Sequence, residues 1–409
     1  MRATAARQAS LREHNLGLVL RTVLDAEAPR SRADVAAATG LTKATVSALV
    51  DRLVAGGLLA ELAPLAPQRA GRPAVPLTAP SGTLAAIGAE VNVDYLGVRV
   101  LDLAGHVLDE RTTQGDLRGS DPAEVLAALG GLVEEAVAAL AGRPRLVGLS
   151  LALPGLVDAR AGILRLAPNL GWRDVDVADL LGAASPTAAA HPPALANEAD
   201  LAARAEAAAR AALERQSFLY VSGEIGIGAA LVLDGELFGG RHGWAGEIGH
   251  TVVPGGRTLE QVAGQDALLR AAGLEPAAGL DALVARLAGD AADDAAAGAA
   301  RAAIDEAGHS LGLALANVVN VVDVSDIVLG GTYARLAPWL REPVLTELRT
   351  HVLAAPWAEP AVDVARAGDL PAMTGGALAQ LARVRLEPAD WLSEPAGSAT
   401  VPATVPANA

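Results

Sequence analysis

Thr42, Lys43, Thr45, Ser47 and Arg52 crowd one short segment, Arg69 and Arg72 follow in the loop Gln-Arg-Ala-Gly-Arg-Pro, and Arg32 precedes them. Every one of these side chains is a hydroxyl or a cation. Such a set neutralises phosphate oxygens and reaches base edges, so the chemistry on offer is contact with a nucleic acid rather than bond making. Lys43 is the only lysine in the chain. A second candidate is the turn Gly223-Glu224-Ile225-Gly226-Ile227-Gly228, whose glycines let backbone N–H groups approach a ligand closely. A glycine-rich turn is a weak signal alone.

The cationic set needs a rigid mount, and the sequence from Ser31 to Leu59 supplies one. Ser31 with Asp34 three residues on forms a capping box. Val35 and Ala36 lie on the inner face of that first helix, and Thr39-Gly40 ends it with a left-handed residue. Thr42 caps the next helix, in which Val46, Leu49, Val50 and Leu53 recur at helical spacing as the buried stripe. Gly56-Gly57 ends it. A generic amphipathic pair in a bundle shares this periodicity, but not the coincidence of caps, tight turn and small polar face. The following 60–80 reads as strand, loop, strand. That is the pattern of a wing, whose Arg69 and Arg72 can reach phosphates or a narrow minor groove.

Charge is segregated. The chain of 409 residues carries a net −15, which is odd for a nucleic-acid binder. Residues 1–80 hold ten Arg or Lys against six Asp or Glu, a balance of +4, and the remainder holds 22 against 41, or −19. The basic excess therefore sits where the helix pair sits. There are no cysteines, so disulfides and thiolate metal sites are excluded. No long apolar run and no basic-then-apolar leader stands out, and a soluble cytoplasmic protein without membrane contact is expected.

Residues 1–10 read as frayed, 11–26 as a helix, and Ser81-Gly82 as a short hinge. Strands then alternate with helices, which predicts an α/β body. The stretches from Ile87 to Leu108 and from Leu219 to Phe238 share one plan: strand, polar or Gly-rich turn, strand, tight turn, strand. Two such copies predict a duplicated unit with a ligand cleft between lobes. The expected domains are a winged helix-turn-helix at 1–80, lobes at 81–195 and 196–387, and a disordered Pro/Ala/Thr tail at 388–409.

Several further motifs occur in order: LALPGLVD at 151–158, LAPNLGW at 166–172, VSGEIGIGAALVLDG at 221–235, GWAGEIGH at 243–250 and IVLGG at 327–331. With TGLTKATVSALVDRL and the Gly-Arg-Pro of the wing, they resemble the ROK group (repressors, open reading frames and kinases), over about residues 10–385. The resemblance is to the repressor branch, similar to xylose and N-acetylglucosamine-type repressors. It implies a two-lobed, ribonuclease H-like body of the actin and hexokinase type behind the winged domain. It also implies that Glu247, His250, Asn197, Glu198 and Glu260 contact a sugar. Carboxylates, Asn and His suit that task, because they accept from and donate to hydroxyls.

The sequence departs from the kinases of that group at three places. The pair Asn-Asp, whose Asp is the general base, reads Asn197-Glu198 here, and a one-methylene displacement can cost ~100-fold in rate. The first phosphate loop, Asp-x-Gly-Gly-Thr in the kinases, reads Glu90-Val91-Asn92-Val93-Asp94. The cysteine-bearing zinc loop is shortened to Thr251–Arg257, which leaves His250 as the one retained ligand and rules out a four-ligand zinc. The expectation is thus a sugar-responsive repressor without catalytic residues, metal or cofactor. It binds operator DNA and a sugar as a homodimer or homotetramer; the helix 296–322 is either part of the interface or an ordinary core helix. The alternative is an ATP-dependent sugar kinase that keeps a DNA-binding domain.

Overall fold

The computed structural model describes residues 2–26, 28–63, 75–142, 144–213, 215–289 and 294–392. The N-terminal part runs α1 (Arg2–Leu24), β1 (Arg30–Ser31), α2 (Arg32–Thr39), α3 (Lys43–Ala55), β2 (Ala60–Glu61) and β3 (Pro76–Thr78). The expected start and stop signals operate as read. Ser31 and Asp34 make the capping box, Gly40 closes α2 at φ 70°, and the Thr42 side chain caps α3. The helix expected at 11–26 extends back to Arg2, across the stretch expected to fray. β3 sits between β1 and β2 in a three-stranded sheet.

The first lobe contains β4 (Leu84–Val91), β5 (Tyr95–Asp102), β6 (Val107–Gln114), α4 (Pro122–Ala139), β7 (Arg145–Leu153), β8 (Leu156–Asp158), β9 (Ile163–Ala167), β10 (Trp172–Asp176), α5 (Val177–Ala184), α6 (Pro186–Ala190) and β11 (Ala194–Asn197). The second contains α7 (Glu198–Ala209), β12 (Phe218–Gly223), β13 (Ile227–Leu233), β14 (Glu236–Phe238), α8 (Glu260–Ala263), α9 (Gln265–Ala271), α10 (Gly279–Leu287), α11 (Ala295–Val322), β15 (Asp326–Gly330), α12 (Gly331–His351), β16 (Ala361–Val364) and α13 (Pro371–Leu386).

The duplication is visible in strand order. One sheet runs β6-β5-β4-β7-β11 and the other β14-β13-β12-β15-β16, a hairpin meander followed by two parallel strands in each. The strand that joins meander to parallel half is β4 in one lobe and β12 in the other. Both are buried along their whole length, as near-continuous apolar runs dictate. A small antiparallel sheet, β8-β9-β10, was not expected from the sequence.

Two features tie the winged part to the first lobe. Its core of Leu16, Leu20, Val46, Val50 and Leu53 continues without a break into Leu84 and Ala86 of β4, Val147 of β7 and Ala377, Leu381 and Val384 of α13. Around the expected hinge, Thr83 donates to Gly57 O at 3.0 Å, and Arg145 N donates to Thr83 O at 3.0 Å. The stretch 81–82 therefore joins two parts of one packed body rather than two swinging ones. α13, which the sequence places in the second lobe, lies across the first: Gly88 of β4 faces the Met373 carbonyl so closely that a Cβ would collide with it. The tail expected from 388 begins with an ordered 3-10 turn, Pro388–Trp391, in which Pro388 is buried. Residues 393–409 lie outside the described residues. No helix among the described residues is long and apolar enough to cross a membrane.

Candidate functional site

On α3 the expected contact residues divide by role. Lys43 and Arg52 are exposed and make no ion pair among the described residues. Thr42 and Thr45 are joined through their hydroxyls at 2.9 Å, so both first serve the cap. Arg32 differs from expectation. Its guanidinium pairs with Asp51 at 2.7 Å and Glu61 at 2.8 Å and donates to the Ser47 hydroxyl at 2.9 Å. Arg32 and Ser47 thus clamp α3 to β2, and the guanidinium charge is already matched by two carboxylates. Arg69 and Arg72 lie outside the described residues.

The second set of residues meets between the lobes. Asn197 ends β11 and Glu198 opens α7, while Glu247 and His250 flank a 3-10 turn and Glu260 opens α8. All five line one cleft between the lobes. Gly246 explains the local geometry of the Glu247 segment. It sits at φ 103° against the Ala229 carbonyl, where no side chain fits. Gly226 brings the second glycine-rich turn against Glu260 and Asn169, and Glu260 Oε2 accepts from Ile227 N at 3.2 Å.

Asn197 is partly committed to the fold. It donates to Gly155 O at 3.0 Å and caps α7 by accepting from Ala199 N at 2.8 Å. His250 Nδ1 stands 3.7 Å from Glu247 Oε2, looser than a hydrogen bond, so both are free to turn to a ligand.

The same cavity gathers residues outside the five that the resemblance assigns to the sugar: Asn92, Asn169, Glu224 and Trp244. Asn169 and Trp244 stand inside motifs quoted above. Asn92 and Glu224 occupy equivalent turns of the two duplicated meanders, and that symmetry was the signal that could have found them. Trp244 Nε1 donates to Val157 O at 2.8 Å and links the segment that carries Glu247 to the first lobe. Asn92 donates to Glu90 at 3.3 Å and to Glu198 at 3.5 Å.

The electrostatics are one-sided. No Lys or Arg lines the cavity. Burial pushes Glu224 up to about 8, with Glu90 and Asp94 adding repulsion. Burial likewise holds Glu90 at about 7 and lifts Glu198 well above the ordinary range, next to Glu90 and Glu224. Glu247 and Asp94 are also raised, chiefly by burial, and Asp200 behind them stands at about 7. Such a site hydrogen bonds hydroxyl groups well. A polyphosphate would meet like charge where a backbone nest would be needed.

A zinc ion does not fit beside His250. The loop Thr251–Arg257 closes on itself through Val253 N to Arg257 O at 2.9 Å and Leu259 N to Thr251 O at 2.9 Å, and Arg257 pairs with Glu306 of α11 at 2.7 Å. It offers no thiolate, carboxylate or imidazole of its own.

The family model described as "ROK family" matches residues 86–383, and one described as "MarR family" matches residues 17–69. A xylose repressor of Caldicellulosiruptor bescii is 28% identical over 244 residues, 59% of each chain, so the match spans little more than half of that relative. A putative xylose repressor of another Caldicellulosiruptor is 29% identical over 366 residues, covering 84% of this chain and 88% of that one. Among solved structures, a ROK family transcriptional regulator described as a homologue of the E. coli MLC protein is 26% identical. It covers 93% of this chain and 99% of its own with a TM-score of 0.69. A ROK hexokinase from Thermus thermophilus, 27% identical, covers 74% of this chain and 99% of its own with a TM-score of 0.57.

Proposed function

The chain belongs to the ROK family, and from that premise we propose that it is a transcriptional repressor that binds operator DNA through its winged domain and leaves it when a sugar fills the cleft. One observation carries the reading. The hydrophobic core under the recognition helix α3 continues into β4, β7 and α13, and β4 and β7 end at Asn92 and at Pro154-Gly155 in the cleft wall. A ligand that moves those strand ends moves the base on which α3 rests. The sugar and DNA affinities are then coupled reciprocally, typically by ~1–3 kcal/mol.

Phosphoryl transfer is not part of this reading. Glu198 stands where a general base would, but burial, with Glu90 and Glu224 beside it, raises its pKa well above the usual carboxylate range and favours its neutral form. Named relatives include both repressors and a glucokinase, so the test must separate the two activities. Calorimetry over a panel of pentoses and hexoses, beside an ADP-release assay on the same panel, is expected to give binding without turnover. Turnover that Glu198→Gln abolishes would make the protein a kinase.

The reading also requires two copies, since winged repressors engage paired half-sites. The sequence points to α11, but Leu311, Leu315 and Val319 are core residues there. The exposed apolar surface lies at its C-terminal end: Val252 and Val321 border one groove, Leu353 and Trp357 the next, each 73–85% exposed. We assign this surface to the second copy.

A further inference from the structure

Beyond Asn92, Glu198 and Glu224 the cleft continues into a smaller cavity, lined also by Glu90, Tyr95, Tyr220 and Ser222. Glu90 is 2% exposed, and its Oε2 has no hydrogen-bond partner among the described residues. Its other oxygen accepts from the Asn92 amide, which is shared with Glu198. Ser222 donates to Glu224 at 3.3 Å.

Neither this cavity nor the larger one is lined by a Lys or Arg. Among the described residues no group of three His, Cys, Asp or Glu is placed to hold a metal ion. A buried carboxylate is costly without enough donors or a countercharge; Asn92, Tyr95 and Ser222 serve this cluster, but no cation lines the cavity. A countercharge can arrive with the ligand. A sugar hydroxyl brings one donor and no charge, whereas an ammonium brings three donors and a positive charge.

We propose that the effector is an amine-bearing sugar, whose ring sits against Glu247, His250 and Asn197 and whose ammonium is received by Glu90, Glu198 and Glu224. The proposal rests on the sugar-responsive reading of the same cleft. It accounts for a carboxylate cluster that a neutral sugar alone leaves uncompensated. It also excludes sugar phosphates, which would meet carboxylates at both ends of the cleft.

The test is calorimetry on the full chain with amino-deoxy hexoses and pentoses, each beside its parent sugar and its N-acetyl form, near neutral pH and at low salt. At least one amino sugar is expected to bind about tenfold or more tighter than both neutral counterparts. Glu90→Gln and Glu224→Gln should each remove that preference, so that the amino sugar binds no tighter than its parent in either variant. Both changes are isosteric and relieve repulsion; should Glu90→Gln fail to fold, Glu224→Gln in the turn carries the test. If parent sugars bind and no amine exceeds its parent, or the preference survives in both variants, the amine assignment is wrong while the sugar-responsive reading stands. If no sugar of any kind binds, that reading falls and the amine assignment with it.

Discussion

The winged domain and the cleft use charge in opposite ways. On α3, Lys43 and Arg52 are exposed and carry no ion pair among the described residues, ready for a polyanion at little desolvation cost. In the cleft, Glu90, Glu198 and Glu224 are gathered with no cation in the wall, and their pKa values rise, first from burial and then from neighbouring carboxylates. The first arrangement favours long-range attraction that salt screens. The second sets acids in a low-dielectric site, where a bound cation would favour their ionised form. Output and input are thus distinguished by where the same kind of group is placed, and the shared core between them lets one bias the other.

Four substitutions probe this contrast, the largest expected effect first. Trp357→Glu puts a charge on the surface assigned to the second copy; the mass by analytical ultracentrifugation should halve and operator affinity fall by ~100-fold or more, as paired half-sites are no longer engaged together. Leu381→Ala opens a cavity where α13 meets the winged core. It should cost ~2–5 kcal/mol in urea unfolding and weaken the sugar effect on operator binding.

Glu224→Gln addresses the cleft alone. Glu224 titrates at about 8 in the fold against an ordinary 4.5. Between those values the folded chain holds a proton that the unfolded chain has lost, so stability falls as pH rises through that window. The variant should match the wild type near the lower end and gain on it towards the upper end, by several degrees in Tm at ~2–4 °C per kcal/mol. Lys43→Ala addresses the other side. Operator affinity should drop by roughly tenfold and the salt slope by ~1, with sugar binding untouched.

The winged domain was legible because its signals are local. Ser31 and Asp34, Gly40, Thr42 and the stripe from Val46 to Leu53 each act within one or two helical turns. The ion pairs of Arg32 were not legible, because its partner Glu61 lies 29 residues away and nothing in the sequence announces that pair. The duplicated sheets were legible from the repeated meander. The sheet β8-β9-β10 was not, since its strands are three to five residues long and carry the half-buried Arg165 and the exposed Asp174. In the cleft, each of the five expected residues sits in the wall. The carboxylate cluster emerges only when Glu90, Glu198 and Glu224 arrive from three separate elements, and its raised pKa values follow from burial that no local pattern encodes.

The most direct test of the central claim, that cleft and winged domain are coupled, is operator affinity with and without sugar. The operator is selected from random DNA by the full chain, and the sugar is the tightest ligand found by calorimetry. Fluorescence anisotropy should show the saturating sugar weakening operator binding by ~5–150-fold, the range of ordinary allosteric coupling. An operator affinity unchanged by a sugar that demonstrably fills the cleft would contradict the account.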